Sequence, residues 1–181
     1  GSQYTFSDGS AGSDCPSGLL KRFDDPHGNP TTVGYDDTGR PTDVTTVSRR
    51  FVYTYETDPT SPGYGRLKSV ELCNGANVVE RVTYTYYGED EDNGNAGDLK
   101  TAVIDYCAEN AVSAVRTSYY RYYKDGDADG AAGALKLVLE PAAYARAVGH
   151  EGDVETASDD TLRRYADLHF QYDNEGRVRH L

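Results

Sequence analysis

The sequence has 181 residues and a formal net charge of −12, and 37% of its residues are hydrophobic. This length suits a single domain and is enough to bury a core. A surface this acidic repels phosphate backbones and anionic lipid, which argues against nucleic acid and membrane surfaces as partners. No apolar run approaches the ~20 residues of a spanning helix, so membrane insertion is not expected either.

Four segments share one pattern, in which an aromatic-x-aromatic triplet is followed, after a loop, by Gly-x-Leu-Lys. Before the loop the residues alternate with period two, as in Phe51, Tyr53 and Tyr55, which is typical of a β-strand. The residues after the glycine are again rich in apolar and β-branched types, as expected for the returning strand. Each segment therefore predicts a β-hairpin with a long tip. The four segments span 4–21, 53–68, 84–100 and 120–136.

Two shorter copies of the pattern are GYDDTGR (34–40) and FQYDNEGR (170–177). Their aspartate can accept hydrogen bonds from backbone N–H groups two residues on, and their glycine supplies the positive φ that closes the turn. One hairpin therefore recurs six times with tips of different length. The residues that define the repeat are Tyr35, Asp36, Gly39, Arg40, Tyr55, Gly65, Leu67, Tyr86, Gly97, Leu99, Tyr122, Gly133, Leu135, Tyr172, Asp173, Gly176 and Arg177.

These units predict a mainly β fold, in which antiparallel hairpin repeats form a curved, open sheet. An isolated hairpin is marginal in water, so the units must pair edge to edge and share a core. The tyrosines would then form cross-strand pairs that contribute roughly 0.2–1 kcal/mol each. The six units are expected at 4–21, 33–47, 51–72, 82–106, 118–139 and 168–181.

The stretch 141–167 breaks the hairpin spacing and is predicted to be a helical insert. Pro141 suits the first position of a helix, and Gly149 suits its end. Ser158 precedes acidic residues and suits an N-cap. We expect two short helices that pack on one face of the sheet through Tyr144, Val148, Leu162 and Tyr165.

The motifs at 34–40 and 170–177 resemble the YD repeat of RHS proteins, large bacterial surface or secreted proteins related to the shells of animal teneurins. The resemblance implies a long antiparallel sheet that spirals into a hollow shell, which encloses an effector in some members and serves adhesion in others. The sequence shows no effector domain and too few strands for a closed chamber. We therefore expect a segment of such a wall, whose partners are neighbouring YD repeats and either a carbohydrate or an enclosed effector.

The resemblance also implies an extracellular or cell-surface location. No signal segment is recognised in the sequence, so this expectation rests on the resemblance alone.

Two successive tips carry oxygen-bearing side chains at alternate positions, the spacing of the first half of a calcium loop. A glycine follows in both tips, Gly94 and Gly130, as such a loop requires. In the second tip, however, position 12, where a bidentate glutamate is expected, is Lys136. The alternative is that acidic tips only keep the ends of the sheet soluble. The candidate calcium ligands are Asp125, Asp127 and Asp129, with Glu89, Glu91 and Asn93 as a weaker second set.

Catalytic motifs are missing from the sequence: it has no nucleophile elbow, no zinc-protease helix motif, no phosphate-binding loop and no zinc-like spacing of cysteine and histidine. The three cysteines allow one disulfide with a spare thiol, or three unpaired thiols. We expect a non-catalytic structural or adhesive shell segment with no cofactor other than calcium. The alternative is a carbohydrate-binding module that uses exposed tyrosines.

Overall fold

The computed structural model describes residues 1–9, 16–108 and 111–180. The described residues form an open eleven-stranded antiparallel sheet, whose strands pair in chain order, and a separate two-stranded hairpin. The predicted mainly β, antiparallel fold is confirmed. The sheet consists of β1 (Gln3–Phe6), β2 (Leu20–Asp24), β3 (Pro30–Tyr35), β4 (Pro41–Thr45), β5 (Arg50–Tyr55), β6 (Leu67–Asn74), β7 (Asn77–Tyr86), β8 (Leu99–Ala108), β9 (Ala111–Tyr122), β10 (Leu135–Leu139) and β11 (Leu168–His169), and the hairpin of β12 (Gln171–Tyr172) and β13 (Val178–His180).

All six hairpin tips close with the same two backbone hydrogen bonds. The residue after the second aromatic donates its N–H to the residue after the tip glycine, and that glycine donates back. In the second tip these bonds are Asp36 N to Arg40 O (2.9 Å) and Gly39 N to Asp36 O (3.0 Å). The chain therefore reverses where the sequence predicts. The tips, numbered one to six in chain order, are 7–18, 36–39, 56–65, 87–97, 123–133 and 173–176.

Residues 10–15 of the first unit and Leu181 of the last unit lie outside the described residues.

A β-bulge follows every tip glycine. The six glycines have φ between 73° and 86°, a region that a Cβ makes costly, which is why glycine is needed there. The register shifts at this point, so that the second aromatic faces the residue two beyond the glycine. Tyr55 faces Leu67 and Tyr86 faces Leu99 in this way. The same bulge thus sets the position of the second aromatic in every repeat.

The insert between β10 and β11 contains two helices, α1 (Pro141–Glu151) and α2 (Asp159–Leu162), both within the predicted range. Pro141 is the first residue of α1, as predicted, where its missing N–H costs no hydrogen bond. Ser158 caps α2 as predicted, because its Oγ accepts a hydrogen bond from the Thr161 N–H (3.2 Å).

The predicted end of the first helix at Gly149 was wrong. The helix continues to Glu151, and the capping glycine is Gly152, whose N–H donates to the Val148 carbonyl (2.9 Å). Gly152 has a φ of 80°, so it leaves the helical conformation at little cost, whereas Gly149 remains within the helix.

The hydrophobic core lies between the insert and one face of the sheet around β9 and β10. Tyr144, Val148 and Tyr165 pack against it and Leu162 is part of it, as predicted. Strands β1–β7 contribute only Cys73 to the buried hydrophobic residues in the described part of the chain. The buried cluster consists of Tyr87, Tyr119, Leu137, Leu139, Ala143, Ala147, Val154 and Leu162.

Two of the three cysteines, Cys73 and Cys107, are free thiols, and Cys15 lies outside the described residues.

Candidate functional site

From the second repeat onward, the second aromatic of each repeat is a tyrosine that contacts the hairpin before it. Its hydroxyl donates to the backbone carbonyl of the residue two beyond the tip glycine of the preceding hairpin, and we call this contact the inter-hairpin tyrosine bond. The contact fixes neighbouring units at one register while the ring packs between them. It joins Tyr35 to Leu20 (2.9 Å), Tyr55 to Pro41 (3.0 Å), Tyr86 to Leu67 (2.6 Å) and Tyr172 to Leu135 (3.0 Å), and the Tyr122 side chain bonds the backbone of Leu99 at the equivalent place.

The aspartate and arginine of the compact repeats hold the turn together. The Asp36 carboxylate accepts from the N–H groups of Thr38 (3.0 Å) and Arg40 (2.9 Å) and from Nε of Arg40 (2.8 Å). The Thr38 hydroxyl, with these donors, holds the pKa of Asp36 well below its usual range. The Arg40 guanidinium also lies 4.5 Å from the centroid of the Tyr55 ring in the next hairpin. Asp173 forms the equivalent bonds in the sixth tip.

The fourth and fifth tips align residue for residue, and two of the candidate calcium ligands, Glu91 and Asp127, hold the same position in them. Each carboxylate binds the lysine that follows its own tip: Glu91 binds Lys100, and Asp127 binds Lys136 (2.6 Å). Each also accepts a backbone N–H from the start of its tip. The structure therefore pairs these two carboxylates with protein cations.

Asn93 and Asp129, which are also equivalent, bind the next hairpin through their backbone. The Asn93 carbonyl accepts from the Tyr122 N–H (2.9 Å), and the Asp129 carbonyl accepts from the Tyr172 N–H (2.8 Å). The Asn93 side chain turns to the insert and donates to the Glu155 carbonyl (2.9 Å). Asn93 and Asp129 therefore attach the fourth and fifth tips to the hairpin that follows each of them.

The remaining candidate ligands, Glu89 and Asp125, are exposed. Within the described residues, no group of three or more His, Cys, Asp or Glu side chains is arranged to hold a metal ion. Calcium binding by the two tips stays a prediction from the sequence.

Two tyrosines that the sequence analysis did not single out, Tyr87 and Tyr123, anchor the fourth and fifth tips. Each directly follows the second aromatic of its repeat. The Tyr87 hydroxyl donates to the Tyr120 carbonyl (2.7 Å), and the Tyr123 hydroxyl donates to the Phe170 carbonyl (2.7 Å). The fourth and fifth tips therefore each have a second hydroxyl bond to the following hairpin.

The rings of Tyr87 and Tyr123 are enclosed on two sides. A Cβ added at Gly94 or Gly130 would lie 2.2 Å from the Cδ2 atom of the respective ring, so only glycine fits there. The ammonium group of the lysine after each tip lies 5.3 Å and 4.7 Å from the ring centroids, within cation–π range. The doubled tyrosine, followed by glycine at the same distance in both tips, is the sequence signal for this arrangement.

Arg121, only 2% exposed, is the centre of a polar network beneath the insert. Its Nη1 pairs with Asp159 (2.6 Å), and its Nη2 donates to the carbonyls of Val154 (2.5 Å) and Ala157 (2.8 Å). Its Nε donates to the Tyr119 hydroxyl (3.2 Å). A buried guanidinium is tolerated when its donors are satisfied in this way, and it joins strand β9 to the segment between α1 and α2.

Two lysines extend this network to the tips. Lys100 lies 3.2 Å from Glu155 of the insert, and Lys136 lies 3.0 Å from Asp159, in addition to the acid of each lysine's own tip. Burial opposes the charged form of Asp159, but hydrogen bonds from Arg121 and Lys136 outweigh it and lower the pKa of this carboxyl. Glu155 therefore attaches the insert to the fourth hairpin, and Asp159 attaches it to the fifth.

The hydroxyls in the network act as hydrogen-bond donors. Burial raises the pKa of both Tyr87 and Tyr119, so both hydroxyls stay protonated at neutral pH. Tyr119 donates to Glu155 (3.3 Å), and the two tyrosine oxygens lie 3.0 Å apart. Every buried side-chain nitrogen and oxygen of the described residues has a partner. These hydrogen bonds therefore attach the insert to the sheet.

The tyrosines of the described chain do not form a continuous exposed face. The exposed ones are Tyr4 (60%), on β1, and Tyr64 (59%), in the third tip. The ladder tyrosines are buried or half-buried. This distribution favours packing over the stacking of sugars on an open tyrosine surface.

No family model matches this sequence, and a search of curated proteins finds no relative. Neither helix of the described chain is long and apolar enough to cross a membrane.

Proposed function

We propose that the chain is a non-catalytic wall segment of a large bacterial surface or secreted protein of the RHS type. In this role the hairpins extend a sheet that presents or encloses something else, and their partners are neighbouring YD repeats. The inter-hairpin tyrosine bond carries the proposal, because it recurs at the same motif position at four of the five boundaries between hairpins, and at the remaining boundary Tyr122 bonds the backbone of Leu99. The side chains that define the repeat are thus used to stack repeats.

The two terminal strands support this proposal. Tyr4 and Phe6 on β1 and Val178 on β13 are 60%, 57% and 50% exposed, and they make up half of the six exposed large hydrophobic residues described. Val178 is also the residue two beyond the sixth tip glycine, the position whose carbonyl accepts a tyrosine hydroxyl elsewhere in the array. Further repeats would cover such edges, as in other repeat proteins.

The proposal extends to location and ligand. A wall of this kind would stand at the cell surface or outside the cell, and would serve adhesion or enclose an effector. The alternative, a carbohydrate-binding module, gains little from the tyrosines, since only Tyr4 and Tyr64 of those described are exposed.

Sedimentation velocity tests whether the chain is a segment of a longer array of hairpins. We expect the chain to self-associate at high concentration through its terminal strands, and we expect a version extended by two compact YD hairpins after Leu181 to be more stable and to associate less. A matched extended version, in which the added second-position tyrosines are phenylalanines, separates the tyrosine bond from simple covering of the edge. If the original and extended chains are both strictly monomeric and equally stable, the wall loses its physical basis and a self-contained binding module becomes the better answer.

A further inference from the structure

All four long tips are followed by a lysine at the same position, three residues beyond the glycine. These lysines are Lys21, which is exposed, and Lys68, Lys100 and Lys136. The last two each lie between an acid of their own tip and an acid of the insert, and their side chains are 21% and 14% exposed. The insert does not reach the third tip, and the Lys68 side chain is 52% exposed. Lys68 therefore pairs with Glu56 of its own tip but lacks the second carboxylate that Lys100 and Lys136 have.

A cavity of about 310 Å³ lies beside Lys68. Its wall includes Thr83 and Thr85, which stand where the next hairpin has Tyr119 and Arg121. Because the two threonines are much smaller than the residues that fill the equivalent place under the insert, a hollow is left at this hairpin. The cavity therefore results from small residues at two repeat positions that are occupied by large residues in the next hairpin.

The charge of Glu56, the acid paired with Lys68, is largely compensated. One carboxylate oxygen accepts the N–H groups of Thr57 (3.0 Å) and Asp58 (3.1 Å), and the other lies 3.2 Å from the Lys68 ammonium. The Asp58 N–H and Lys68 lower the pKa of Glu56, so the carboxylate is ionised. An ammonium group has three donors, and Lys100 and Lys136 show that a lysine at this position holds two acids.

We propose that this cavity binds a small organic carboxylate, whose acid group takes the place at Lys68 that Glu155 and Asp159 take at the other two lysines. The volume lies at the lower end of ligand pockets, which suits a molecule of monosaccharide size. The hydroxyl-bearing residues Thr83 and Thr85 line the cavity and suit a hydroxylated acid such as a hexuronate. The proposal is independent of the wall function.

NMR titration of the ¹⁵N-labelled chain tests the site with D-glucuronate, N-acetylglutamate and D-glucose. We expect both carboxylates to shift the amide signals around Gly63 and Thr83 saturably, and glucose to leave them unchanged. Tighter binding of glucuronate assigns a free sugar acid as the ligand, and tighter binding of acetylglutamate assigns an acidic side chain. Equal shifts with glucose, or no shifts with either acid, would overturn the proposal.

Three variants test whether Lys68 holds the carboxylate. Lys68→Met should abolish the shifts, whereas Lys21→Met, at the equivalent exposed position after the first tip, should leave them intact. Glu56→Gln removes the competing charge but keeps an oxygen acceptor for the two N–H groups, so it should tighten carboxylate binding several-fold. Full binding by a folded Lys68→Met, or weaker binding by Glu56→Gln, would show that Lys68 does not hold the acid.

Discussion

The two halves of the sheet share their backbone geometry but differ in what covers them. Hairpins in both halves close with the same bonds and carry the same inter-hairpin tyrosine bond. The buried cluster, however, lies in the half that includes β9, β10 and the insert, while β1–β7 are largely half-buried. The repeat thus specifies how hairpins stack, and the insert supplies most of the core.

We call the half of the sheet that includes β9, β10 and the insert the covered half. Removal of its buried cation, Arg121, should produce the largest loss of stability. Arg121→Met removes one of the two cations that pair with Asp159, which keeps Lys136, and takes the donor away from the carbonyls of Val154 and Ala157. A hydrogen bond to a charged group contributes about 1.5–3 kcal/mol, so the loss of several should cost about 3–5 kcal/mol. Urea unfolding followed by circular dichroism measures the loss. Arg163→Met is the control, because its pair with Asp160 is exposed and surface substitutions stay within about 0.5 kcal/mol. Equal losses in both variants would contradict the network's role.

A pair of leucines compares the cores directly. Leu137→Ala, in the buried cluster, should cost about 2–5 kcal/mol of unfolding free energy, because a cavity is left in a packed core. Leu72→Ala, on half-buried β6, should cost clearly less. The same urea experiment compares them. A larger loss for Leu72→Ala would place the main core in the first half of the sheet.

Alkaline pH should destabilise the covered half. Burial raises the pKa of Tyr122 to about 12 and also raises that of Tyr119. Because the pKa of these tyrosines is higher in the folded state than in the unfolded state, their protonated hydroxyls contribute fully to stability below a pH of about 10. This contribution is lost as the pH rises toward 12. Urea midpoints between pH 8 and 12 should fall above pH 10, less steeply in Tyr122→Phe. An unchanged slope in that variant would contradict the assignment.

The inter-hairpin tyrosine bond should have the smallest effect per residue. Tyr86→Phe keeps the ring but removes the bond to the Leu67 carbonyl, at a cost of about 0.5–1.5 kcal/mol. Tyr84→Phe, on the same strand, is the matched control, since no hydroxyl bond joins Tyr84 to the described residues. If the two variants lose the same stability, the bond does not contribute.

The local pattern of the sequence was enough to predict the strands, the tips and the Ser158 cap, because alternation, turn glycines and caps act over a few residues. It was not enough for Gly149, since the choice between two nearby glycines depends on which one can leave the helix. The tip acids were also assigned from local spacing, whereas Glu91 and Asn93 bind Lys100 and Glu155. Contacts such as Arg121–Asp159 join distant segments and have no local signal.

Native-state hydrogen exchange, resolved by strand, tests most directly that the chain is a linear array of hairpins that stabilise their neighbours. We expect opening free energies that are lowest for β1 and β2 and rise toward β8–β10 under the insert. We also expect Tyr86→Phe to lower protection in β1–β6 more than in β9 and β10, since the lost bond joins the two groups of strands. A single opening free energy for all strands, lowered uniformly by Tyr86→Phe, would contradict a linear array of hairpins.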